Sequence, residues 1–345
     1  MSFSAALRSA EPAPAGHPPH RRSCESAVLV LRALGLGDAL TGVPALRGLR
    51  RAWPGRWLLL AADRRIGDWL RDLGVVDEVL PTTGLNPLAW PPSGLMGGTG
   101  HFAVNLHGSG PQSHLVLSAT TPARLVAFRQ SAVGFRGGPP WHTDEHEVDR
   151  WCRLVGEVGG PCGRDDLYLP LTGPRSSEIL LHPGAAAAAR RWPAHRWAQL
   201  TTHLLAAGHR VTLTGGPTEA DLCAGIVRAS SRGERFAATT AGRLELPALA
   251  DRVASARLLV SGDTGVAHLA TAFRTPSVLL FGPTSPRRWG PTVDPHRHSV
   301  LWHGADDRPG DPHGSVVDPA LAAIGVDEVL VAVETLLNDH LADPP

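Results

Sequence analysis

One stretch limits the folds open to this chain: Ser261 to Thr284, SGDTGVAHLATAFRTPSVLLFGPT, behind the run Ala256-Arg257-Leu258-Leu259-Val260. An apolar run of that length reads as a strand buried on both faces of a parallel sheet. Four turn residues follow, Ser261-Gly262-Asp263-Thr264. A helical pattern then runs from Val266 to Phe273, and a second strand from Ser277 to Phe281. Strand, turn, helix and strand make half of a doubly wound sheet. The turn lies at the carboxyl end of its strand, where open α/β sheets bind ligands. Asp263 or Thr264 is placed to cap the helix, whose first N–H groups and dipole favour an anion. His268 lies four residues beyond Thr264 and shares its face. A hydroxyl, free N–H groups and an imidazole suit a diphosphate; the same residues also fit a capped helix carrying a surface histidine.

Length allows two domains of ordinary size in 345 residues. A net charge of +1 suggests no bulk nucleic-acid or membrane-surface partner. No apolar run reaches bilayer length. Residues 1–25 are rich in Ala, Pro, Ser and His and lack a signal peptide's apolar core, so a disordered tail and a cytoplasmic protein are expected. Cys24, Cys152, Cys162 and Cys223 show no CxxC spacing, which argues against structural zinc and against a secreted disulfide framework.

In chain order, Ala27 to Leu31 is the first strand. It enters Leu34-Gly35-Leu36-Gly37-Asp38, then a helical pattern from Ala39 to about Arg51. Gly35 and Gly37 permit a tight turn and close approach to a ligand. The string is a partial dinucleotide fingerprint, with Leu40 where the third glycine belongs and Asp63 the nearest acidic residue, which leaves a Rossmann oxidoreductase as one reading. Asp38 is either the helix N-cap or a carboxylate open to a cleft. Strands at Trp57–Ala61, Val75–Leu80, Phe102–Leu106 and Arg124–Phe128 follow, with a helix over Arg64–Leu73 between the first two. His101, His107 and His114 fit no metal-binding helix and read as surface histidines. An amphipathic helix from Glu145 to Val158 precedes the linker. The second half opens with the strand Glu178–His182, then Pro183-Gly184, five alanines and Arg190-Arg191. A helix runs to about Ala207. The strand Arg210–Thr214 then ends in Gly215-Gly216-Pro217-Thr218-Glu219 before another helix. Residues 284–320 read as loops, and Val326 to about Leu336 as a last helix.

Two Rossmann-like units facing across a cleft are therefore expected: residues 26–172, residues 173–325, and a final segment, 326–345, packing back on the first unit. Glu219 suits ribose hydroxyls. Arg190 and Arg191 can neutralise a diphosphate, and either reads equally as loop charge. The chain has no P-loop.

Taken together and in order, these motifs resemble glycosyltransferase family 9, the heptosyltransferase-like enzymes of GT-B fold. They are the Gly35–Asp38 turn with Pro44, His146-Glu147-Val148, His182-Pro183-Gly184 with Arg191-Trp192-Pro193, Gly215 to Glu219, and Asp263 to His268 with Phe281-Gly282-Pro283-Thr284. The resemblance spans about Ala27 to Leu336. It implies inverting, metal-independent transfer of a heptose-like sugar from a nucleotide diphosphate donor, ADP-linked in the family, to a glycan or lipid-linked acceptor. No cofactor or metal is implied. Asp38 would be the base, with Gly35 and Gly37 in the acceptor-side turn. Arg190 or Arg191, Asp263, Thr264, Gly265, Val266 and His268 would hold the diphosphate, and Gly216 and Glu219 the nucleoside. A monomer, working in the cytoplasm or at the inner face of the membrane, is expected. The alanine run departs from the family's polar residues there. Two alternatives stay open: an epimerase or hydrolase on the same fold, and a nucleotide-sugar binding module without catalysis.

Overall fold

Among the described residues every strand lies in a parallel sheet, because the apolar runs are short, rich in Leu and Val, and joined by helical crossovers. The computed structural model describes residues 22–93, 95–96, 99–171, 173–230 and 237–339. The expected tail falls mostly outside those residues, as does position 172 at the expected domain boundary. Arg22–Ser23 pairs in parallel with Leu95–Met96, so ordered chain begins before residue 25.

The first half contains β1 (Ala27–Leu31), α1 (Leu36–Thr41), α2 (Val43–Ala52), β2 (Trp57–Ala62), α3 (Arg64–Asp72), β3 (Glu78–Pro81), β4 (Phe102–Asn105), α4 (Pro111–Ser118), β5 (Arg124–Val126) and α5 (Glu147–Gly156). Its sheet order is β3-β2-β1-β4-β5. The second half contains β6 (Glu178–His182), α6 (Ala194–Ala206), β7 (Arg210–Leu213), α7 (Ala220–Ala229), β8 (Ala237–Thr239), α8 (Leu246–Ser255), β9 (Leu258–Gly262), α9 (Gly265–Ala272), β10 (Ser277–Leu280), α10 (Pro286–Trp289), β11 (His298–Leu301), α11 (Pro319–Ala323) and α12 (Val326–Asp339). Its order is β8-β7-β6-β9-β10-β11. Each half is thus a doubly wound sheet whose direction of winding reverses beside its first strand, and the crevice at that point is open to a ligand. Leu31 pairs with Asn105 and Ser261 with His182, which puts the turns after β1 and β9 at those switch points.

Four expectations need correction. The helix expected over 39–51 breaks at Gly42. Gly42 is at once the C-cap of α1 and the N-cap of α2, and a Cβ there would lie 2.7 Å from Cδ of the buried Arg32. Residues 284–320 are not all loop, since α10, α11 and the edge strand β11 fall among them. The last helix does not pack back on the first half. Val329, Val333, Leu336 and Leu337 of α12 join the apolar cluster of the second sheet, against α6, β10 and β11. Finally, His101 and His114 are buried rather than on the surface. His101 Nε2 lies 2.8 Å from Thr120 Oγ1, and His114 Nε2 donates to the Phe128 carbonyl at 2.8 Å. Burial drives the His101 pKa down to about 4, so that ring serves as a neutral core hydrogen-bonder.

The halves are not loosely tethered. One apolar cluster runs from Val28, Leu46 and Trp69 of the first half into Val253, Leu259 and Leu269 of the second. Among the described residues no helix is long and apolar enough to cross a membrane.

Candidate active site

The two switch-point turns meet. A Cβ on Gly37 would lie 2.8 Å from His268 Cδ2, and one on Gly265 would lie 2.8 Å from Leu36 Cβ, so the amino ends of α1 and α9 abut through glycines. The close approach made by Gly37 is therefore to the other half of the protein. Beside this junction opens a cleft of about 830 Å³. Gly35, Leu36, Gly37 and Asp38 line it from the first half, and Arg190, Asp263, Thr264, Gly265 and His268 from the second.

Asp38 is not the N-cap. Gly35 holds that position with extended backbone and no side-chain cap, and Asp38 sits in the first turn of α1. Its carboxylate is 32% exposed, so the free side chain is available to a ligand. Behind it lies Arg32, 1% exposed, with NH2 4.0 Å from Asp38 Oδ1. The same guanidinium donates to Thr41 Oγ1 at 2.9 Å and to the carbonyls of Asp38 and Leu106. It also rests 4.7 Å from the centre of the Trp151 ring. Burial lowers the Arg32 pKa to about 10, with the Asp38 charge working the other way, so the cation persists at neutral pH. Asp63, the acidic residue that a dinucleotide site would need, is spent capping α3 through the Arg65 and Ile66 N–H groups.

Across the cleft, Thr264 is the N-cap of α9 by backbone position, but its side chain makes no capping bond. Its hydroxyl lies 3.2 Å from Ser261 Oγ. Orphan N–H groups at the start of α9 are thus left for an anion. Val266 contributes only its backbone, because its side chain is core. Asp263 is buried, and desolvation raises its pKa to about 6, helped by the Asp38 charge and opposed by Arg190 and by the Thr284 hydroxyl. His268 faces Gly37 and lies edge-on to Trp289 with ring centres 6.1 Å apart. Burial, with the Arg32 charge beside it, lowers its pKa to about 4. At neutral pH it brings an N–H and no charge.

The two arginines separate. Arg190 lines the cleft and donates to the Asp263 carbonyl at 3.2 Å. Arg191 is exposed, donates to the Ala185 carbonyl at 2.8 Å and is not among the cleft residues. The alanine run has a steric reason. Ala189 takes a backbone bond from Asp318 and gives one to Gly314, so the segment over 310–318 lies directly on it. Gly216 and Glu219 lie outside the main cleft, at the ends of β6 and β7. The Glu219 carboxylate accepts from the Gly216 N–H at 2.7 Å and fills the space that a Cβ on Gly184 would take. One carboxylate oxygen therefore has a backbone partner, and the acceptor capacity that remains can take a hydroxyl.

Several groups were given no role in the site by the sequence reading, although Thr284 and His146 belong to motifs it picked out. Arg32 could have been noticed as a lone charge closing an apolar strand. Thr284, Arg288 and Trp289 belong to a stretch without periodicity. His146 joins the halves: Nδ1 accepts from the Val148 N–H at 3.2 Å and Nε2 donates to the Gly290 carbonyl at 3.0 Å, which requires the neutral ring.

Residues 166–308 match the model of glycosyltransferase family 9 (heptosyltransferase). Lipooligosaccharide heptosyltransferase 2 of Haemophilus influenzae is 31% identical over 158 residues, which are 43% of this chain and 46% of that protein. The matched chain thus spans under half of that relative's length. Among solved structures, a glycosyl transferase family 9 protein of Veillonella parvula superposes with a TM-score of 0.73 at 17% identity, covering 91% of this chain and 98% of its own. The E. coli ADP-heptose lps heptosyltransferase II gives a TM-score of 0.69 at 21% identity, covering 92% and 100%. At such identities the likeness is one of fold, two α/β units in the GT-B arrangement.

Proposed function

We propose, from the premise that this chain is a heptosyltransferase-like protein of glycosyltransferase family 9, that it transfers a sugar from a nucleotide diphosphate donor to an acceptor hydroxyl. The observation that carries the reading is the pairing across one cleft. The Asp38 carboxylate stands on the first half, opposite Thr264, the amino end of α9 and Arg190 on the second. Asp38 takes the proton of the acceptor hydroxyl, whose oxygen attacks the anomeric carbon from the face opposite the diphosphate. That bond forms as the anomeric carbon–phosphate oxygen bond breaks, so the configuration inverts. Charge grows on the leaving diphosphate. Thr264 Oγ1, the Gly265 and Val266 N–H groups and Arg190 offset it without a metal. His268 adds a neutral donor. Asp263 acts through Arg190 and cannot itself favour phosphate while ionised. Glu219, with Gly216, holds the ribose at the edge of the cleft. The packed junction at Gly37 and Gly265 limits water at the anomeric carbon.

The names of the relatives favour heptose as the sugar, ADP as the carrier and a lipopolysaccharide-type glycan as the acceptor. An acceptor borne on lipid would bring the protein to the inner face of the membrane as a peripheral enzyme. A thermal-shift screen of ADP-, UDP- and GDP-sugars tests the donor, since a ligand of the folded state raises Tm by mass action. Asp38→Asn should keep that shift and lose transfer by roughly 10²- to 10⁴-fold. Full transfer by the variant, or sugar released at the same rate without acceptor, would sink the reading.

A further inference from the structure

Three arginines line the cleft: Arg190, Arg287 and Arg288. Arg190 has the Asp263 carbonyl, and Arg287 lies 3.4 Å from Asp306. The guanidinium of Arg288, a half-buried residue, has neither hydrogen bond nor ion pair to any described residue, and its Nε is shut away from solvent with no partner. A neighbouring cation aggravates matters. Burial is the main reason the pKa of Arg150 in α5 is lowered, and the Arg288 charge lowers it further, although Arg150 is already paired with Glu147. An unpaired guanidinium beside a second cation is costly in a partly desolvated cleft unless an anion completes it.

Place in the fold decides whose anion. Arg190 stands by Asp263 and Thr264, at the amino end of α9. Arg288 stands on α10, whose far end is tied by the Gly290 carbonyl to His146 at the start of α5. It thus faces the first half, from which the acceptor hydroxyl must reach Asp38. We propose that Arg288 forms a second anion site in the cleft, separate from the diphosphate site at Arg190, which takes a phosphate or carboxylate carried by the acceptor. The planar fork of the guanidinium suits either group in a bidentate pair. This rests on the transfer reading for the word acceptor, though not for the existence of the site.

Inorganic phosphate is the probe. In protein saturated with ADP, phosphate binding is followed by NMR at the Trp289 indole N–H. Arg288→Gln should weaken it roughly tenfold or more, the loss of one charge-assisted pair, and leave the ADP Kd within about twofold. Arg190→Gln should do the reverse. Arg288→Lys, which keeps charge and loses the fork, should recover part of the phosphate affinity and guards against a folding defect. If Arg288→Gln weakens ADP as much as Arg190→Gln does, the residue serves the donor and the proposal fails. If phosphate binds parent and variant alike, it is an adventitious ion only, and the proposal fails again. Should ADP not bind the parent, the transfer reading falls. The second site is then judged in nucleotide-free Arg190→Gln protein, where adding Arg288→Gln must still remove phosphate binding.

Discussion

At the scale of single residues, the site is marked by charge held where burial disfavours it. Asp263 shows this most clearly. Its carboxyl has a pKa of about 6 in the folded chain against an ordinary 3.8, chiefly through desolvation. The folded state therefore holds this proton more readily than the unfolded one. Ionising it costs stability, a cost that grows as pH rises from about 3.8 and is complete above about 6. Asp263→Asn should accordingly be more stable than the parent at pH 7, by about 1–3 kcal/mol, and the gain should vanish below the ordinary carboxylate range. Urea unfolding of both proteins at pH 7 and at pH 3.5 checks it, and a variant less stable at pH 7 would show that the Arg190 and Thr284 contacts outweigh desolvation. A group kept at such a cost in a cleft is more readily explained by function than by folding. Sequence alone singled out Asp38, Asp263, Thr264 and His268 because each follows a strand, where ligand groups gather. It could not separate Arg190 from Arg191, because neighbours on an irregular turn point apart in ways no periodicity encodes. Nor could it find Arg32, whose role depends on contacts with Thr41, Leu106 and Trp151 that only the folded chain assembles.

At the scale of elements, glycine decides how the site closes. Gly265 and Gly37 let α9 and α1 touch end to end, and a Cβ on Gly265 would stand 2.8 Å from Leu36 Cβ and 3.1 Å from the Gly37 nitrogen. A backbone nitrogen cannot rotate away, so the two helices would have to part. Gly265→Ala should cost about 1–3 kcal/mol of stability by overpacking. If the chain transfers a sugar as proposed, the change should also slow transfer more than it weakens ADP, since separation of the helices would move Asp38 from the donor while leaving the start of α9 in place. Thermal melts beside steady-state kinetics distinguish this from simple loss of folded protein. The sequence announces these glycines as turn formers, and the partner across the cleft is what it leaves out. The stretch 284–320 was opaque for a different reason. Strand β11 has four residues and opens on His298 and Ser299, and α10 is the four residues Pro-Arg-Arg-Trp. Neither is long enough to display a period, yet β11 completes the second sheet and α10 supplies Arg288 and Trp289 to the cleft.

At the scale of the whole molecule, the repeated strand, turn and helix were legible because parallel strands buried on both faces leave unbroken apolar runs. How the pieces pack between halves was not, and α12 shows why. Its amphipathic spacing declares a buried face without naming what covers it. The cover is the second sheet: Val329, Val333, Leu336 and Leu337 sit in one cluster with Val278 and Leu280 of β10. This bears on how the two halves move. A final helix braced against the first half would couple the two units at a point far from the cleft. With α12 on its own half, the coupling runs through the shared apolar cluster, the smaller cluster of Val148, Leu167 and Val293, and contacts near the site such as Gly37 with Gly265 and His146 with Gly290. Val333→Ala should therefore lower stability by about 1–3 kcal/mol through lost burial and a small cavity. In native-state hydrogen exchange the amides of β10 and β11 should open before those of β1 and β2. If β1 and β2 lose protection first, α12 reaches across to the first half in solution, and the inter-domain coupling has a further support.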